Sequence, residues 1–209
     1  MITTRLRVLY TVALALTAAV CPYQDLNAQE EERTIYTAQT TYTARLEKSR
    51  AVWEALKDRR GGHYEYSRSF QSWVGYKHKT TITVKDDIVA KRKCKKKSPH
   101  FPSEQQQESW TEGEGSEVAV GHHSDCHPAK TVDELYDICE NDVLTRDEDN
   151  HKISLEFDDN GVLKRCTYFH KRCADDCTRG VTIEELRFLE DTEGAQQGKG
   201  KKLQESRQN

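Results

Sequence analysis

Four side chains between residues 120 and 128 have the types and spacing of metal ligands. This stretch reads VGHHSDCHP and contains His122, His123, Asp125 and His127. Imidazole and carboxylate groups bind zinc and copper, and a loop can bring ligands at this spacing together. Catalytic metal sites, however, are usually held rigid by helices or strands, and none is predicted here. We interpret the stretch as an exposed polar loop, with a metal site and a secreted metal-dependent enzyme as the alternative.

A second group of possible ligands lies between residues 165 and 177, which read RCTYFHKRCADDC. Cys166, His170, Cys173 and Cys177 offer the sulfur and nitrogen atoms that zinc prefers. Structural zinc sites usually combine two separate pairs of closely spaced ligands, and the chain has no second pair of this kind. A redox Cys-x-x-Cys motif is absent as well. The choice between metal ligands and disulfides therefore depends on the compartment.

The first 28 residues have the pattern of a secretory signal peptide. Arg5 and Arg7 precede a short apolar run over residues 8–20, and Ala28 is a suitable cleavage position. Export to an oxidising compartment favours disulfides. Cleavage after Ala28 removes Cys21 and leaves an even set of half-cystines: Cys94, Cys126, Cys139, Cys166, Cys173 and Cys177. Several connectivities are possible, and we predict the pairs Cys94–Cys126, Cys139–Cys166 and Cys173–Cys177.

Paired carboxylates occur at Asp86–Asp87, Asp158–Asp159 and Asp175–Asp176. Such pairs can perform acid–base chemistry or bind calcium, but the spacing of a calcium-binding EF-hand loop is missing. Asp and Asn are also the residues that tight turns prefer, and we interpret the pairs as turns. No hydrolase, phosphate-loop or dinucleotide motif occurs. The sequence therefore predicts no catalytic residue and no cofactor.

The most basic segment of the chain reads KRKCKKK over residues 91–97. It is either the solvated end of a strand or a patch that binds polyanions such as sulfated glycans or acidic surfaces. The net charge of -3 indicates no general preference for nucleic acid. The candidate polyanion-binding residues are Lys91, Arg92, Lys93, Lys95, Lys96 and Lys97.

Between polar ends at residues 29–41 and 191–209, both predicted to be disordered, residues 42–190 are long enough for one domain with a core. Its first half predicts a helix over 43–58, a strand over 63–70 and a hairpin of strands 80–84 and 88–93 around Asp86 and Asp87. Trp73 and Tyr76 lie in the loop before the hairpin and are candidates for a contact surface. A long loop follows over 98–121, with a short strand near 117–120.

The second half repeats the order of helix and strands. Thr131 and Glu134 form a predicted capping box, and the inward positions of the helix follow at helical spacing. Strands are predicted over 153–157, 162–169 and 181–189, with a turn at 158–161. The fold class is α+β: a mostly antiparallel sheet covered on one face by two helices, with a hypothetical duplication of a helix-plus-meander unit. The inward positions are Val132, Leu135, Tyr136, Cys139 and Val143.

Several of these residues resemble a family of small exported domains found in bacterial lipoproteins and in secreted proteins of marine animals. The resemblance rests on Trp53 in a helix, Tyr64-x-Tyr66, the TITV strand at 81–84 and the FDDNG turn at 157–161. It covers residues 45–189. Members often carry a cysteine cluster on the first hairpin, which this chain lacks. The family's function is unknown, so the resemblance implies an exported α+β fold and no site residues.

Taken together, these features predict a secreted, non-catalytic protein without a membrane span. Its expected partner is an extracellular protein, a glycan or a component of an extracellular or mineral-associated matrix. The first alternative is a secreted inhibitor or effector that presents loops to a target protein. The second is the metal-dependent enzyme described above.

Overall fold

The computed structural model describes residues 23–98 and 107–190, with side chains from residue 41 onward except at position 107. The chain divides into two compact units, Met1–Thr37 and Ala38–Asn209, and the packing described below is that of the second unit. The described residues form two α-helices and eight strands. In chain order these are α1 (Tyr23–Arg60), β1 (Tyr64–Gln71), β2 (Lys77–Lys85), β3 (Ile88–Lys97), β4 (Gln107–Gly113), α2 (Val132–Ile138), β5 (His151–Phe157), β6 (Leu163–His170), β7 (Arg179–Thr182) and β8 (Glu185–Phe188).

The strands form two antiparallel sheets rather than the one that the sequence predicts. The first has five strands in the order β4-β3-β2-β1-β8, and the second has three in the order β5-β6-β7. The predicted α+β class is confirmed. Each sheet follows a helix in the chain, which is the order that the hypothesis of a duplicated unit requires, although the two sheets differ in strand number.

The predicted hairpin between β2 and β3 is confirmed. Its two turn residues, Asp86 and Asp87, have φ angles of 50° and 59°, as tight two-residue hairpins require. The turn between β5 and β6 also uses a carboxylate, since Asp158 Oδ1 accepts a 2.8 Å hydrogen bond from the amide of Val162. Gly161 closes this turn at a φ of 85°. The aspartates at these two turns therefore stabilise turn geometry, as interpreted from the sequence.

Helix α1 packs against the inner face of the five-stranded sheet. Trp53 is fully buried and meets the ring of Tyr64 edge to face at 4.9 Å. Tyr136 of α2 links this layer to the second sheet, because its hydroxyl lies 2.7 Å from Ser49 Oγ and accepts a 2.9 Å hydrogen bond from the amide of Leu163. The core thus lies between the two helices and the two sheets.

Helix α2 begins at the predicted capping box. The amide of Glu134 donates to Thr131 Oγ1 at 3.2 Å, and the amide of Thr131 donates to Glu134 Oε2 at 2.7 Å. The α-helix ends at Ile138 and continues as a π-helical turn over Cys139–Val143. The five predicted inward residues are all buried: Val132, Leu135, Tyr136, Cys139 and Val143.

Two strand predictions are wrong. The strand expected near 117–120 lies earlier, at β4, where the inward side chains include the charged residue Glu112, so the segment lacks the hydrophobic alternation of an ordinary strand. The last predicted strand, 181–189, is interrupted at Ile183 and Glu184. Its halves, β7 and β8, join different sheets, and the chain thereby crosses from the three-stranded to the five-stranded sheet.

Helix α1 begins at Tyr23, twenty residues before the predicted start at residue 43. Residues 29–41, for which the sequence predicts a disordered segment, are therefore helical. This segment contains three Glu and two Gln, which favour a helix, together with four Thr, which do not. The predicted polar tail at 191–209 and residues 1–22 of the predicted signal peptide lie outside the described residues.

Three disulfides connect these elements, and all have the predicted pairing. Cys94–Cys126 links β3 to the loop after β4, Cys139–Cys166 links the π-helical turn to β6, and Cys173–Cys177 closes a short loop before β7. Their Cα atoms are 6.5, 5.6 and 6.2 Å apart, within the range that a disulfide spans. The question posed by the cysteine-rich stretch 165–177 is thus answered by disulfides.

Candidate functional site

Strand β3 places its basic side chains on two opposite faces of the five-stranded sheet. Alternate residues of a strand project to opposite sides. Arg92 and Cys94 therefore face inward and are buried, at 2% and 0% exposure. The outward positions form a surface that we call the lysine face, and its residues are Lys91, Lys93, Lys95 and Lys97.

The inward cations of β3 are each paired with a carboxylate. Arg92 lies directly opposite Glu112 on β4, and Lys96 lies directly opposite Glu108. The closest nitrogen–oxygen distance is 2.9 Å in both pairs, and Lys96 Nζ also contacts Asp125 Oδ2 at 2.6 Å. Opposite charges directly across from each other stabilise a sheet. On this side, β3 and β4 are therefore electrostatically matched.

The lysine face has no such match. The residues across from it on β4 are uncharged, and on β2 they are threonines or further lysines: Gly113, Thr111, Ser109 and Gln107 on β4, and Thr83, Thr81, Lys79 and Lys77 on β2. Lys95 lies opposite Lys79 and Lys97 opposite Lys77, although like charges in this position destabilise a sheet. None of the four lysines forms an ion pair with a described residue. The face therefore holds positive charge that the described structure does not neutralise.

Carboxylates around the rim of the lysine face are already engaged. Glu114 binds Lys85 at 2.7 Å, and Glu185 binds Lys79 at 2.8 Å. The hydrogen bonds from these two lysines hold the pKa of each carboxyl below its usual value. These two rim anions are therefore paired with rim cations rather than with the lysine face. Asp158 and Asp159 line a larger hollow together with Lys93 and Lys95, but they form no ion pair with these lysines among the described residues.

A shallow depression of 500 Å³ lies over the sheet beside the lysine face. Its lining combines the ammonium groups of Lys91, Lys93 and Lys95 with the hydroxyls of Thr81 and Thr83. The two carboxylates that also line it, Glu65 and Glu114, are paired with Arg187 and Lys85. Successive lysines on a strand are about 7 Å apart, since each residue advances the chain by about 3.4 Å. Ammonium and hydroxyl groups both donate hydrogen bonds to anionic oxygens. The surface can thus contact several anionic groups arranged along an extended chain.

The predicted basic patch is therefore only partly a surface. Lys91, Lys93, Lys95 and Lys97 share one side, whereas Arg92 is buried and Lys96 is paired on the opposite side. The strand period of two, applied through residue 97, would have separated the two sets. Sequence reasoning also missed the contribution of β2, whose lysines at 77 and 79 extend the same side.

The four candidate metal ligands of residues 120–128 do not converge. His123 stacks on Trp110 at 4.3 Å between ring centroids, and its Nδ1 lies 2.8 Å from Glu112 Oε1. Asp125 binds Lys96, whereas His127 lies against a different ring, that of His78, at 4.9 Å. The fourth candidate, His122, is exposed beside His123.

Within the described ranges, the one group whose ligand atoms lie within 4.8 Å of one another is His78, Cys94 and Cys126. Its two sulfur atoms are joined in a disulfide. The second candidate set fails for the same reason, since Cys166 pairs with Cys139 and Cys173 with Cys177. The described residues therefore offer no thiolate to a metal at either place.

Trp73 stands at the tip of the connection between β1 and β2 and is 76% exposed. Its amide donates to Asp176 Oδ2 at 3.4 Å, so the tip lies beside the loop closed by Cys173–Cys177. Tyr76, the other predicted contact residue, is partly buried and packs 6.0 Å from His78. Of the two candidates, only Trp73 presents most of its ring to solvent.

Comparison of the chain with known protein families, curated proteins and solved structures found no match to any of them. The resemblance to small exported domains therefore stays a prediction. Among the described helices, none combines the length and apolar character that a membrane crossing requires.

Proposed function

We propose that this protein is a secreted, non-catalytic binding protein whose lysine face holds an extended polyanion such as a sulfated glycan of an extracellular matrix. The observation that carries the proposal is the contrast between the two faces of β3. Inward cations have carboxylates directly opposite, whereas the outward lysines have hydroxyls, an amide, a glycine or further lysines opposite them. A row of unneutralised lysines lowers stability, and binding an anionic chain would offset that cost.

Two further observations support the proposal. Three disulfides in one domain fit a protein made for an oxidising compartment. The side chains best suited to catalysis have structural roles instead. Glu112 binds Arg92, and the cysteines are joined in disulfides. Polyanion binding needs only the charge and spacing that the lysine face provides.

The test is retention on heparin at low and rising salt. The variant Lys91→Ser/Lys93→Ser/Lys95→Ser removes three cations from the lysine face. The matched control, Lys48→Ser/Lys152→Ser/Lys171→Ser, removes three exposed lysines from α1, from β5 and from beyond β6. Both variants have the same net charge, so a difference between them reports position rather than total charge.

We expect the lysine-face variant to elute at a much lower salt concentration than the wild type, and the control variant to elute close to it. Equal retention of the two variants would mean that heparin senses only net charge, and the proposal would be abandoned. Changing Lys95 alone should weaken retention more than changing Lys96 alone, since Lys96 is paired with Glu108 and Asp125 on the other side.

A second candidate function follows from Trp73. A largely exposed tryptophan at a loop tip, beside a disulfide-closed loop, suits an inhibitor or effector that inserts an aromatic anchor into a target protein. Trp73→Ala would then abolish binding to the target and leave heparin retention unchanged. The lysine face is favoured because it extends over several residues of β2 and β3.

A further inference from the structure

Arg68 is a buried cation without a counter-charge. Its side chain projects from β1 toward the interior, and the residue is only 4% exposed. Nη2 donates a 3.1 Å hydrogen bond to the carbonyl oxygen of Gly180 on β7. Nε is buried and has no hydrogen-bond partner, and Arg68 forms no ion pair with any described residue. Among the described contacts, the carbonyl of Gly180 is the one hydrogen-bond acceptor of this buried guanidinium.

This arrangement is unfavourable as it stands. Moving a charge out of water without a partner costs several kcal/mol, and an unpaired buried N–H adds to that cost. Burial lowers the pKa of Arg68, yet a guanidinium keeps its proton in proteins. The buried Arg92 shows the usual solution in this same sheet, because Glu112 contacts it through both carboxylate oxygens. No carboxylate of a described residue pairs with Arg68 in this way.

Two histidines with unused nitrogens lie beside the Arg68 side chain. The rings of His78 and His127 are 4.9 Å apart, and the buried Nδ1 of His78 and Nε2 of His127 have no hydrogen-bond partner. Burial lowers the pKa of both imidazoles, and the positive charge of Arg68 acts in the same direction. The charge of Asp125 opposes this shift in His78, and a hydrogen bond with the backbone of Ser69 opposes it in His127. Three buried nitrogens without a hydrogen-bond partner thus belong to neighbouring side chains.

Arg68, His78 and His127 are all positioned around Thr80. Arg68 pairs with Thr80 across β1 and β2, and His78 is two residues from Thr80 on the same inward face. His127 is tied to the same point, because its amide donates to Thr80 Oγ1 at 3.1 Å. Cys126, which precedes it, is fixed to β3 by the disulfide to Cys94. The region is therefore built by two strands and a cross-linked loop.

We propose that Arg68, His78 and His127 form an internal binding site for a small inorganic anion such as chloride, sulfate or phosphate. Arg68 Nε, His78 Nδ1 and His127 Nε2 would donate hydrogen bonds to it. A neutral imidazole supplies one such N–H in the appropriate tautomer, and a protonated one supplies it in every case.

Other occupants fit less well. A metal cation would be repelled by Arg68, and the two nearby sulfur atoms are held in the Cys94–Cys126 disulfide. A water molecule would satisfy the free nitrogens but would leave the charge of Arg68 unbalanced. An anion does both. This site lies on the inward side of the sheet, so it is independent of the lysine face and of the function proposed for it.

The test is the thermal midpoint of unfolding, Tm, at constant ionic strength. Sodium gluconate, whose anion is too large for an internal site, is replaced stepwise by sodium chloride, sulfate or phosphate. We expect the Tm of the wild type to rise by several degrees with at least one small anion, because a ligand that binds only the folded state stabilises it. Arg68→Met should lose this rise, and Lys91→Ser/Lys93→Ser/Lys95→Ser should keep it.

A wild-type Tm that does not respond to any small anion, or an equal response in Arg68→Met, would overturn the proposal. If Arg68→Met does not fold, the double variant His78→Gln/His127→Gln replaces it in the same titration and should show a weakened response. A crystal soaked in bromide gives a direct answer. An anomalous peak beside Arg68 Nε is expected, whereas a water molecule alone at that position would contradict the site.

Discussion

Arg92 and Glu112 form a two-bonded ion pair in the interior of the five-stranded sheet. Arg92 Nε donates to Glu112 Oε2 at 2.9 Å and Nη2 donates to Oε1 at 2.9 Å, with the two residues 2% and 0% exposed. The same carboxylate accepts the amides of Gly121 and His123 at 2.8 and 2.5 Å. Burial alone would raise the pKa of Glu112, but these hydrogen bonds outweigh it and hold the pKa at about 2. One side chain thus joins β3, β4 and the loop that follows.

Removing the charge of Glu112 should therefore be costly. Glu112→Gln leaves Arg92 buried without a counter-charge, for which we expect a loss of about 3–5 kcal/mol in the free energy of unfolding. Glu108→Gln on the same strand is the matched control. The Glu108 side chain is 59% exposed and Lys96 keeps its second partner, Asp125, so the loss should be less than about 1 kcal/mol. Urea denaturation with the disulfides intact measures both, and losses of equal size would contradict the role given to Glu112.

Helix α2 supports a comparison between a cap and a core residue. Thr131→Ala removes the side-chain oxygen that accepts the amide of Glu134 and should cost about 1 kcal/mol. Leu135→Ala opens a cavity at a fully buried position and should cost about 2–5 kcal/mol. Denaturant melts of the two variants and the wild type measure these losses in the free energy of unfolding. If Leu135→Ala were as mild as a surface change, the packing of α2 against the core would be wrong.

Local chemistry predicted the features that depend on neighbours in the sequence. The capping box at Thr131, the Asp86–Asp87 hairpin and the inward position of Cys139 each follow from residue type and spacing over a few positions. The predicted pairing of Cys139 with Cys166 rests on the last of these features, because Cys139 is predicted to face the sheet. Contacts of this kind need only the period of a helix or a strand.

Features that depend on long-range pairing could not be predicted in this way. Strand β4 is hidden because its inward residue Glu112 becomes compatible with burial only through Arg92, twenty positions earlier. The division of 181–189 into β7 and β8 depends on which sheet edge each half meets. The lysine face required both the true length of β3 and its neighbours on β2, and the unpaired state of Arg68 is visible only once every nearby side chain is placed.

Stability should fall as the pH drops from about 7 to 4.5, and His127 should be a principal cause. Burial, the charge of Arg68 and the proximity of His78 lower the pKa of His127 to about 4 from an ordinary 6.5, although a hydrogen bond with the backbone of Ser69 acts in the opposite direction. Between these values the unfolded chain binds a proton that the folded chain does not, so acid favours unfolding. We expect His127 to account for about 2 kcal/mol at pH 4.5, allowing for its partial exposure.

His127→Gln should flatten this pH dependence, whereas His122→Gln, at an exposed position, should leave it unchanged. The comparison is best made above pH 4.5, since carboxyl groups with lowered pKa values, Glu112 among them, lose their stabilising charge as the pH falls further. Melts in buffers without small inorganic anions keep the proposed anion site from contributing. An unchanged slope in His127→Gln would show that other groups control acid stability.

In the folded protein, none of the six paired cysteines should react with an alkylating reagent unless a reductant is added first.

The disulfides should differ in how much they contribute to the free energy of unfolding. Cys139–Cys166 closes a loop of 27 residues in sequence, and both half-cystines are fully buried. Cys173–Cys177 spans only 4 residues at the surface. Because loop-closure entropy grows with loop length, Cys139→Ala/Cys166→Ala should cost about 3–4 kcal/mol and Cys173→Ser/Cys177→Ser about 2 kcal/mol or less. Denaturant melts of the two double variants test the order, and a greater loss from the surface pair would mean that the short loop before β7, rather than the link between the π-helical turn and β6, stabilises the second sheet.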